Sequence, residues 1–331
     1  MKRYFLLLCF IAACITVNAQ LSWKNIDSLY APLPASMHIY KSTDSIDGKP
    51  GVAYYIISDL KDKNLNFTTD TSYKRRLTPS QFFEKDKHPL VIVNASFFSF
   101  ATNRNLNIVE RDGKMLGYNT HSVAAKGKDT LTWYHSFDGA LGISKKRDAD
   151  IAWILSDSSR RFAYASESVV PFLHDSIASP SFDYLDKSTS IVSGSYHGDD
   201  NHLSPSFKKW KVKTAVGGGP VLVQEGGVKI SNNEERKFYG KAINDRHPRT
   251  AIGYTNDHKL IILVAEGRSE TASGLTLTQV AQILKGLGCK EALNLDGGGS
   301  TCMLVNGKQT NSPSDKEGQR AVPSVFIIER K

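Results

Sequence analysis

The sequence has 331 residues, of which 40% are hydrophobic and 23% are charged, and it carries a formal net charge of +9. These values are typical of a globular protein and exclude a low-complexity or coiled-coil chain, while the length allows one large domain or two modest ones. The positive charge suits a plain secreted protein or one with an anionic ligand, but there is no basic helix and no RNP-like stretch, so we predict no nucleic-acid partner.

The first nineteen residues have the pattern of a secretory signal peptide. A Lys–Arg pair precedes a mostly apolar stretch, and the small residues needed for cleavage end at Ala19. Residues 11–14, IAAC, also resemble a lipoprotein box, which would leave Cys14 lipid-anchored. We predict cleavage after Ala19, because the residues after Cys14 stay apolar, and therefore a secreted or periplasmic protein. No other stretch is long and apolar enough to span a bilayer.

The segment of residues 20–88 alternates short apolar runs with polar turns. Residues 51–60 and 65–70 predict strands, and residues 78–85, with their Thr/Ser start, predict a short helix. The segment has no cluster of reactive side chains. We therefore expect a β-rich segment that packs on a main domain of residues 89–331.

The middle of the chain combines predicted strands with one long polar segment. Residues 90–94, LVIVN, predict a buried strand that ends at Asn94, residues 130–144 predict a strand, a turn and a strand, and residues 151–157 predict a further strand. Residues 167–206 are polar and weakly patterned, which predicts a loop. Four side chains of metal-ligand type lie there, but a solvated loop explains them better; they are His197, Asp199, Asp200 and His202.

Two stretches share one pattern. Residues 212–230 and 292–310 each have an apolar run, three glycines, a second apolar run and a glycine-containing turn. The similarity indicates either an internal repeat or chance, since glycine turns between strands are common. In both stretches we expect a strand before and a strand after the glycines.

The C-terminal third predicts a hairpin followed by the clearest helix in the chain. Residues 247–269 read as two strands around an Asn-Asp-His turn. Residues 276–288 carry an apolar stripe and begin with a capping box formed by Thr276 and Gln279. Few helices separate the strands, so we predict an α+β fold with a mixed, largely antiparallel sheet core. After signal removal two cysteines remain, Cys289 and Cys302, either paired or as buried free thiols.

Polar residues stand at the ends of several predicted buried strands, where sites usually lie. Each of them alone has an ordinary structural explanation. Together they suggest chemistry, because two carboxylates can divide the work at an acetal carbon, arginines bind phosphate, and glycine runs expose backbone N–H groups to anions. The glycines do not form a P-loop or a nucleophile elbow, since the required Lys and G-x-S-x-G spacing are missing. These residues are Asn94, Arg249, Glu266, Arg268, Asn294 and Asp296.

A set of motifs resembles the phosphodiester glycosidase family. In chain order they are NASFF, GGGPVLV, HPRTAIG, EGRS with GLTL, ALNLDGGGST and PSDKEGQRAVPSVFII, and they extend from about residue 90 to residue 329. The resemblance implies hydrolysis of a sugar-1-phosphodiester between the anomeric carbon and the phosphate oxygen. It implies a small-molecule or glycan phosphodiester as the substrate.

The resemblance also implies roles for single residues. Asp296 is the essential carboxylate, and Glu266 is the second, although the family more often has Asp there. Arg249 and Arg268 bind phosphate or sugar. Asn94 stands where the family often has NGGFF, so the two family glycines are replaced. The other substrate-binding residues are Asn294, Gly217, Gly218, Gly219, Gly297, Gly298, Gly299, Ser300 and Thr301.

Late in the chain, Asp315 and Arg320 either contact ligand or form a structural salt bridge. The sequence requires no cofactor and leaves a divalent metal and the oligomeric state open. Two other functions stay open as well: a carbohydrate-binding protein without catalysis, and a phosphodiesterase that breaks the P–O bond with a metal pair.

Overall fold

The structure is a computed structural model that describes residues 21–126, 130–192 and 207–331. The predicted signal peptide, the lipoprotein alternative at Cys14 and the cluster of His197, Asp199, Asp200 and His202 lie outside the described residues.

Strands dominate the secondary structure. The helices are α1 (Pro79–Lys85), α2 (Phe182–Val192), α3 (Asn232–Glu235) and α4 (Leu277–Gly286). The strands are β1 (Lys24–Asn25), β2 (Met37–Ser42), β3 (Ala53–Asp59), β4 (Leu65–Thr71), β5 (Val91–Asn94), β6 (Val109–Arg111), β7 (Lys114–Gly117), β8 (Ser122–Ala124), β9 (Trp133–His135), β10 (Gly139–Ile143), β11 (Ala149–Leu155), β12 (Tyr164–Ser166), β13 (Leu173–Asp175), β14 (Lys208–Lys209), β15 (Thr214–Gly217), β16 (Val221–Gln224), β17 (Gly227–Val228), β18 (Arg249–Thr255), β19 (Lys259–Ala265), β20 (Cys289–Asn294), β21 (Met303–Val305), β22 (Lys308–Gln309) and β23 (Ser324–Arg330).

The strands of the described residues form four sheets. Their orders are β1-β2-β3-β19-β18-β20-β16-β17 in an eight-stranded sheet, β14-β12-β11-β10-β15-β6-β7 in a seven-stranded sheet, β22-β21-β5-β23-β4 in a five-stranded sheet and β13-β9-β8 in a three-stranded sheet. Every ladder among the described residues is antiparallel. The predicted α+β class with a largely antiparallel core is confirmed.

The N-terminal segment supplies strands to two sheets. Strand β3 pairs along its whole length with β19 of the eight-stranded sheet. Strand β4 pairs with β23 of the five-stranded sheet. The predicted strands at 51–60 and 65–70 are therefore present, β3 inside the eight-stranded sheet and β4 at the edge of the five-stranded sheet.

One hydrophobic core lies between the three large sheets. It receives Ile56 and Ile262 from the eight-stranded sheet, Val93 and Phe326 from the five-stranded sheet, and Trp153 from the seven-stranded sheet, all almost fully buried. The strands alternate in burial, because successive side chains point to opposite faces. Their second faces build smaller clusters on the outside of each large sheet.

Two helices cover outer sheet faces as their sequences predict. Helix α4 has the predicted capping box, in which Thr276 accepts from the Gln279 amide and the Gln279 side chain accepts from Thr276. Its buried stripe packs on the eight-stranded sheet. Helix α1 has the same motif at Thr78 and buries Phe82 against the five-stranded sheet.

The predicted loop at residues 167–206 is wrong in part, because it contains β13 and α2. In the first turns of helix α2, Phe182 and Leu185 are the buried apolar residues. Two apolar positions are too few to show a helical period in the sequence. A second correction concerns residues 298–300. They form a short 3₁₀ turn before β21, so the strand does not follow the glycines directly.

Both described cysteines, Cys289 and Cys302, are buried free thiols, and burial raises the pKa of each to about 12. Among the described helices, none has the length and apolar character that a bilayer crossing requires.

Candidate functional site

The two glycine triplets mark the points where the chain passes from one sheet to another. Gly217–Gly219 connects β15 of the seven-stranded sheet with β16 of the eight-stranded sheet, and Gly297–Gly299 connects β20 with β21 of the five-stranded sheet. The first triplet contacts the end of β20, because the Gly219 amide donates to the Asn294 carbonyl at 2.7 Å. The predicted site residues therefore converge where the three large sheets meet.

Asp296 follows β20 and is half-buried. Its amide donates to the Ala95 carbonyl at 3.0 Å. Its carboxylate accepts from the Gly297 amide at 2.9 Å and from the Ser300 hydroxyl. Backbone and side chain are thus both held from neighbouring segments, which fixes the direction of the carboxylate.

The pKa of Asp296 is raised to about 6. Burial is the largest cause, because it disfavours the charged form. The Ser300 hydroxyl, the Gly297 amide and the charge of Arg320 oppose this effect. A carboxylate with this pKa is mostly ionised at neutral pH and still able to take up a proton, which suits acid–base work.

Arg320 lies against the second triplet. A Cβ at Gly299 would overlap the Arg320 guanidinium and come within 2.9 Å of an Asp315 carboxylate oxygen. Arg320 forms the predicted salt bridge with Asp315 at 2.6 Å, and its Nη1 donates to the Ser300 hydroxyl at 3.5 Å. The absence of a side chain at Gly299 therefore lets a guanidinium lie beside the hydroxyl that binds Asp296.

Arg268 lies beside Gly298 of the same triplet. It has a left-handed backbone, and a Cβ at Gly298 would stand 3.0 Å from its Nη2. The same Nη2 donates to Nδ1 of His247 at 3.3 Å. Burial, followed by the charges of Arg249 and Arg268, lowers the pKa of His247. The imidazole is thus kept neutral and serves as an acceptor that orients Arg268.

Arg249 is buried behind this group. Its Nε donates to the Leu275 carbonyl and its Nη2 donates to the Asp245 carbonyl, both at 3.0 Å. Its guanidinium carbon lies 5.6 Å from the centre of the Phe238 ring. Burial lowers the pKa of Arg249 to about 10, so it remains a cation. Through these two hydrogen bonds Arg249 orders the segment that carries His247, and its guanidinium adds positive charge to the site.

Asn94 ends β5 and is fully buried. Its Nδ2 donates to the Asp296 carbonyl at 2.6 Å. Its Oδ1 accepts from the Thr250 hydroxyl at 2.8 Å and from the Cys302 amide at 3.1 Å. The side chain therefore joins the backbone on both sides of the second triplet to β18.

Asn294 and Thr301 lie at the same junction. Asn294 donates from Nδ2 to the Gly219 carbonyl at 2.9 Å, whereas its buried Oδ1 has no hydrogen-bond partner among the described residues. Thr301 accepts from the Thr250 hydroxyl at 3.3 Å. These side chains are directed at the protein framework around the glycines.

Glu266 lies one strand away from Asp296, since β18 separates the ends of β19 and β20. Its Oε1 accepts from the Ser312 amide at 2.9 Å. Tyr54 donates to the same carboxylate. The pKa of Tyr54 is raised to about 12, mainly by burial and further by the Glu266 carboxylate. The carboxylate is therefore occupied by a loop amide and a buried phenol.

The sequence reasoning missed a polar cluster at the first triplet. Lys237 forms an ion pair with Asp138 at 2.7 Å, and Asn107 donates to Asp138 at 2.6 Å and to the Gly218 carbonyl at 3.3 Å. Buried Glu235 accepts from four groups nearby, including the Gly139 amide. Only Asp138, placed just before a glycine-led strand, had a local signal of the kind used for Asp296.

Across the described ranges, no group of three or more His, Cys, Asp or Glu side chains is arranged to hold a metal ion.

Comparison with known proteins gives one consistent family. A model of the phosphodiester glycosidase family matches residues 167–329. The SPbeta prophage-derived uncharacterized protein YomE of Bacillus subtilis is 42% identical over 86 residues, which are 26% of this chain and 13% of that protein. Mouse N-acetylglucosamine-1-phosphodiester alpha-N-acetylglucosaminidase is 33% identical over 98 residues, which are 29% of this chain and 19% of that protein. The chain thus matches less than a fifth of the length of these relatives.

Solved structures share the fold. A hypothetical protein from Synechocystis has a TM-score of 0.63 at 14% identity, over 94% of this chain and 64% of that chain. The catalytic domain of zebrafish N-acetylglucosamine-1-phosphodiester alpha-N-acetylglucosaminidase, auto-inhibited by its pro-peptide, has a TM-score of 0.56 at 19% identity, over 94% of this chain and 89% of that chain.

Proposed function

The chain belongs to the phosphodiester glycosidase family, and on this premise we propose that it hydrolyses a sugar-1-phosphodiester at the anomeric C–O bond. The products are a free sugar and a phosphomonoester. The observation that carries the proposal is a half-buried carboxylate, Asp296, whose pKa is raised to about 6 and which directly precedes a glycine triplet against which the guanidinium groups of Arg268 and Arg320 lie.

Asp296 acts as the carboxylate at the anomeric carbon. Glycoside cleavage passes through a transition state with positive charge on the sugar, and a nearby carboxylate stabilises that charge and activates a nucleophile. With a pKa of about 6, Asp296 is mostly ionised at neutral pH. It is therefore ready to act as nucleophile or base.

The arginines act on the phosphate. The leaving group is a phosphomonoester, which departs without full protonation, so the enzyme needs charge neutralisation more than a strong acid. Arg268 lies beside Gly298 and Arg320 lies beside Gly299. A guanidinium group is able to bind two phosphate oxygens at once. Arg249 adds positive charge from behind, while neutral His247 keeps Arg268 in place. The glycines clear the space in which a phosphate approaches the backbone.

We propose positioning roles for the site residues whose polar atoms are used within the protein. Asn94, Asn294 and Thr301 hold the backbone around Asp296. Glu266 holds the loop at Ser312. Gly217–Gly219 keep the first triplet close to Asn294, because a Cβ at Gly218 would overlap the Asn294 carbonyl. These residues shape the pocket, whereas Asp296 and the arginines meet the substrate.

The names of the mouse and zebrafish relatives specify N-acetylglucosamine, and we propose this sugar for the glycosyl side of the substrate. We also propose export through the N-terminal signal peptide, which places the enzyme with extracellular or periplasmic glycan phosphodiesters.

The test is hydrolysis of an aryl N-acetylglucosamine-1-phosphodiester in water enriched in oxygen-18. We expect label in the released sugar and unlabelled phosphomonoester, because the attacked atom is the anomeric carbon. Label in the phosphate would instead assign P–O cleavage. Absence of turnover by wild-type protein that still binds the substrate would identify a binding protein.

A further inference from the structure

A largely exposed aromatic ring stands beside the candidate site. Phe100 follows β5 on the loop that begins at Asn94, and 60% of it is exposed. Its ring centre lies 4.7 Å from that of buried Phe98, which anchors the loop in the outer core of the five-stranded sheet. The loop is closed by backbone bonds between Ser99 and Arg104 and between Ser99 and Asn103. A large apolar side chain is thus held in solvent beside Arg320 of the candidate site.

Two guanidinium groups lie over this ring. The guanidinium carbon of Arg320 is 5.4 Å from the ring centre, and that of Arg76 is 5.1 Å from it. Arg76 also lies 5.6 Å from the ring of Phe98. Arg320 belongs to the candidate site through Ser300 and Gly299. Phe100 therefore links the site to a second, more peripheral cation.

Arg320 has a carboxylate partner, whereas Arg76 does not have one within the described residues. Arg320 is paired with Asp315 at 2.6 Å. Arg76 is half-buried against the two phenyl rings, and within the described parts of the chain no carboxylate lies at ion-pair distance from it. Its neighbours in sequence, Lys74 and Arg75, are exposed cations that form no ion pair within the same ranges. The position of Arg76 is fixed, because Leu77 bridges to Val322 close to Arg320.

An unneutralised guanidinium held by aromatic rings is a strong and oriented anion binder, since cation–π contacts leave its N–H groups free to form bidentate bonds with phosphate. Both guanidinium carbons lie within 5.4 Å of one ring centre. The two guanidinium carbons are therefore at most about 10.5 Å apart, a distance that a substrate with two phosphates is able to span.

We propose that Arg76, positioned by Phe100, binds a second phosphate of the substrate, on the side of the leaving group. The inference rests on the proposed function, and it specifies the substrate class: a sugar-1-phosphodiester whose phosphate substituent carries a further phosphate. A repeating sugar-phosphate chain and a nucleoside diphosphate sugar both have this chemistry. Arg76 is a specificity residue, and hydrolysis of a single phosphodiester does not need it.

The test compares three substrates on wild-type protein and on Arg76→Gln. They are the methyl ester of N-acetylglucosamine-1-phosphate, a dimer of N-acetylglucosamine-1-phosphate joined by a phosphodiester, and UDP-N-acetylglucosamine. We expect Arg76→Gln to raise KM about tenfold on at least one substrate with two phosphates, since a charge-assisted bidentate contact is lost. On the methyl ester we expect less than about a twofold change in kcat/KM. The substrate that responds identifies the chain or the nucleotide as the source of the second phosphate.

Two control variants remove a cation without removing the proposed contact. Lys74→Gln removes a charge two residues away, and Arg161→Gln removes an arginine that lies 5.3 Å from the Phe162 ring at a remote position. Neither is expected to change discrimination between the substrates. Phe100→Ala should reproduce the effect of Arg76→Gln in part, because the guanidinium loses its support.

Equal loss on all three substrates, or no loss on any, would overturn the assignment of Arg76. The outcome is separable from the proposed function. If wild-type protein hydrolyses none of the substrates, calorimetric binding of the phosphodiester dimer and of UDP-N-acetylglucosamine to wild-type and Arg76→Gln protein decides the inference. Wild-type binding of either ligand that weakens about tenfold in the variant supports the second-phosphate contact, and equal binding of both ligands, or binding of neither, contradicts it.

Discussion

The side-chain amide of Asn94 donates a hydrogen bond of 2.6 Å to the main-chain carbonyl of Asp296. Asn94 ends a strand of the five-stranded sheet, and Asp296 follows a strand of the eight-stranded sheet. A second hydrogen bond joins the same two segments, because the Asp296 amide donates to the carbonyl of Ala95. The position of the proposed catalytic carboxylate is therefore set by the contact between two sheets.

Replacement of Asn94 by Ala should destabilise the protein. The variant leaves the Cys302 amide and the Asp296 carbonyl without their partner in a buried place, and it removes one of the two acceptors of the Thr250 hydroxyl. We expect the free energy of unfolding in urea to fall by about 2–4 kcal/mol, because unsatisfied buried groups keep their full desolvation cost. Asn66→Ala is the matched control, since Asn66 is half-buried and makes one side-chain bond, to Glu329. Equal losses in the two variants would contradict a special role for Asn94.

Asp296→Asn should abolish turnover while the fold remains. Asn has the same shape and keeps an oxygen for the Gly297 amide, but it has no charge with which to stabilise the anomeric carbon. We expect kcat to fall by about 10³-fold or more, measured with the aryl phosphodiester. Asp112→Asn is the control, because Asp112 is exposed and pairs with Lys213 far from the glycines. Full activity of Asp296→Asn would remove Asp296 from the mechanism.

The pH profile should report the ionisation of Asp296. Since the ionised carboxylate is the active form and its pKa is raised to about 6, kcat/KM should rise with pH and reach half of its plateau near that value. The Ser300 hydroxyl lowers the pKa by bonding the charged form. Ser300→Ala should therefore move the midpoint to higher pH. A rate that falls as pH rises through this region would show that Asp296 acts as an acid.

The features that could be predicted from the sequence are those with local causes. Both capping boxes and the Asn-Asp-His hairpin turn are written in a few consecutive residues, and the structure has helices α1 and α4 and the hairpin β18–β19 where they indicate. The glycine triplets were recognisable for the same reason. The sequence does not show that both triplets connect two sheets. The assignment of β15, β16, β20 and β21 to three different sheets depends on pairings across the whole chain.

The parts of the site that escaped prediction depend on tertiary contacts. The sequence predicts Asn94 as a substrate-binding residue, and this stays a prediction; its hydrogen bonds to the backbone of two other segments are not visible in the sequence. Arg320 was linked to Asp315, and the structure adds its contact with Ser300. Lys237 and Asp138 form an ion pair although they are far apart in the sequence, so no local motif predicts it.

Glu266→Gln distinguishes a catalytic from a positioning carboxylate. Glutamine keeps an oxygen for the Ser312 amide and places an NH₂ group towards the Tyr54 hydroxyl, which is able to accept. We expect kcat to fall by less than about tenfold, because a neutral isostere retains most of the loop contacts. A loss of about 10³-fold with an unchanged circular dichroism spectrum would establish Glu266 as a second catalytic carboxylate.

Gly299→Ala should displace Arg320 from the site. The added Cβ overlaps the Arg320 guanidinium and crowds the Asp315 carboxylate, so the ion pair must move away from Ser300. We expect kcat/KM to fall by about 100-fold, since a displacement of about 1 Å in a positioning group has that effect. The free energy of unfolding should fall by about 1–3 kcal/mol, as in other overpacked sites.

Gly286→Ala is the matched control for this change. Gly286 is the last residue of α4, it is exposed, and a Cβ there meets no atom within 4 Å. Because Ala is the better helix former, we expect a gain of about 0.5–1 kcal/mol in stability with unchanged kcat/KM. If Gly299→Ala lost stability but kept its kcat/KM, Arg320 would be a structural ion pair only, and charge neutralisation at the phosphate would rest on Arg268 and Arg249.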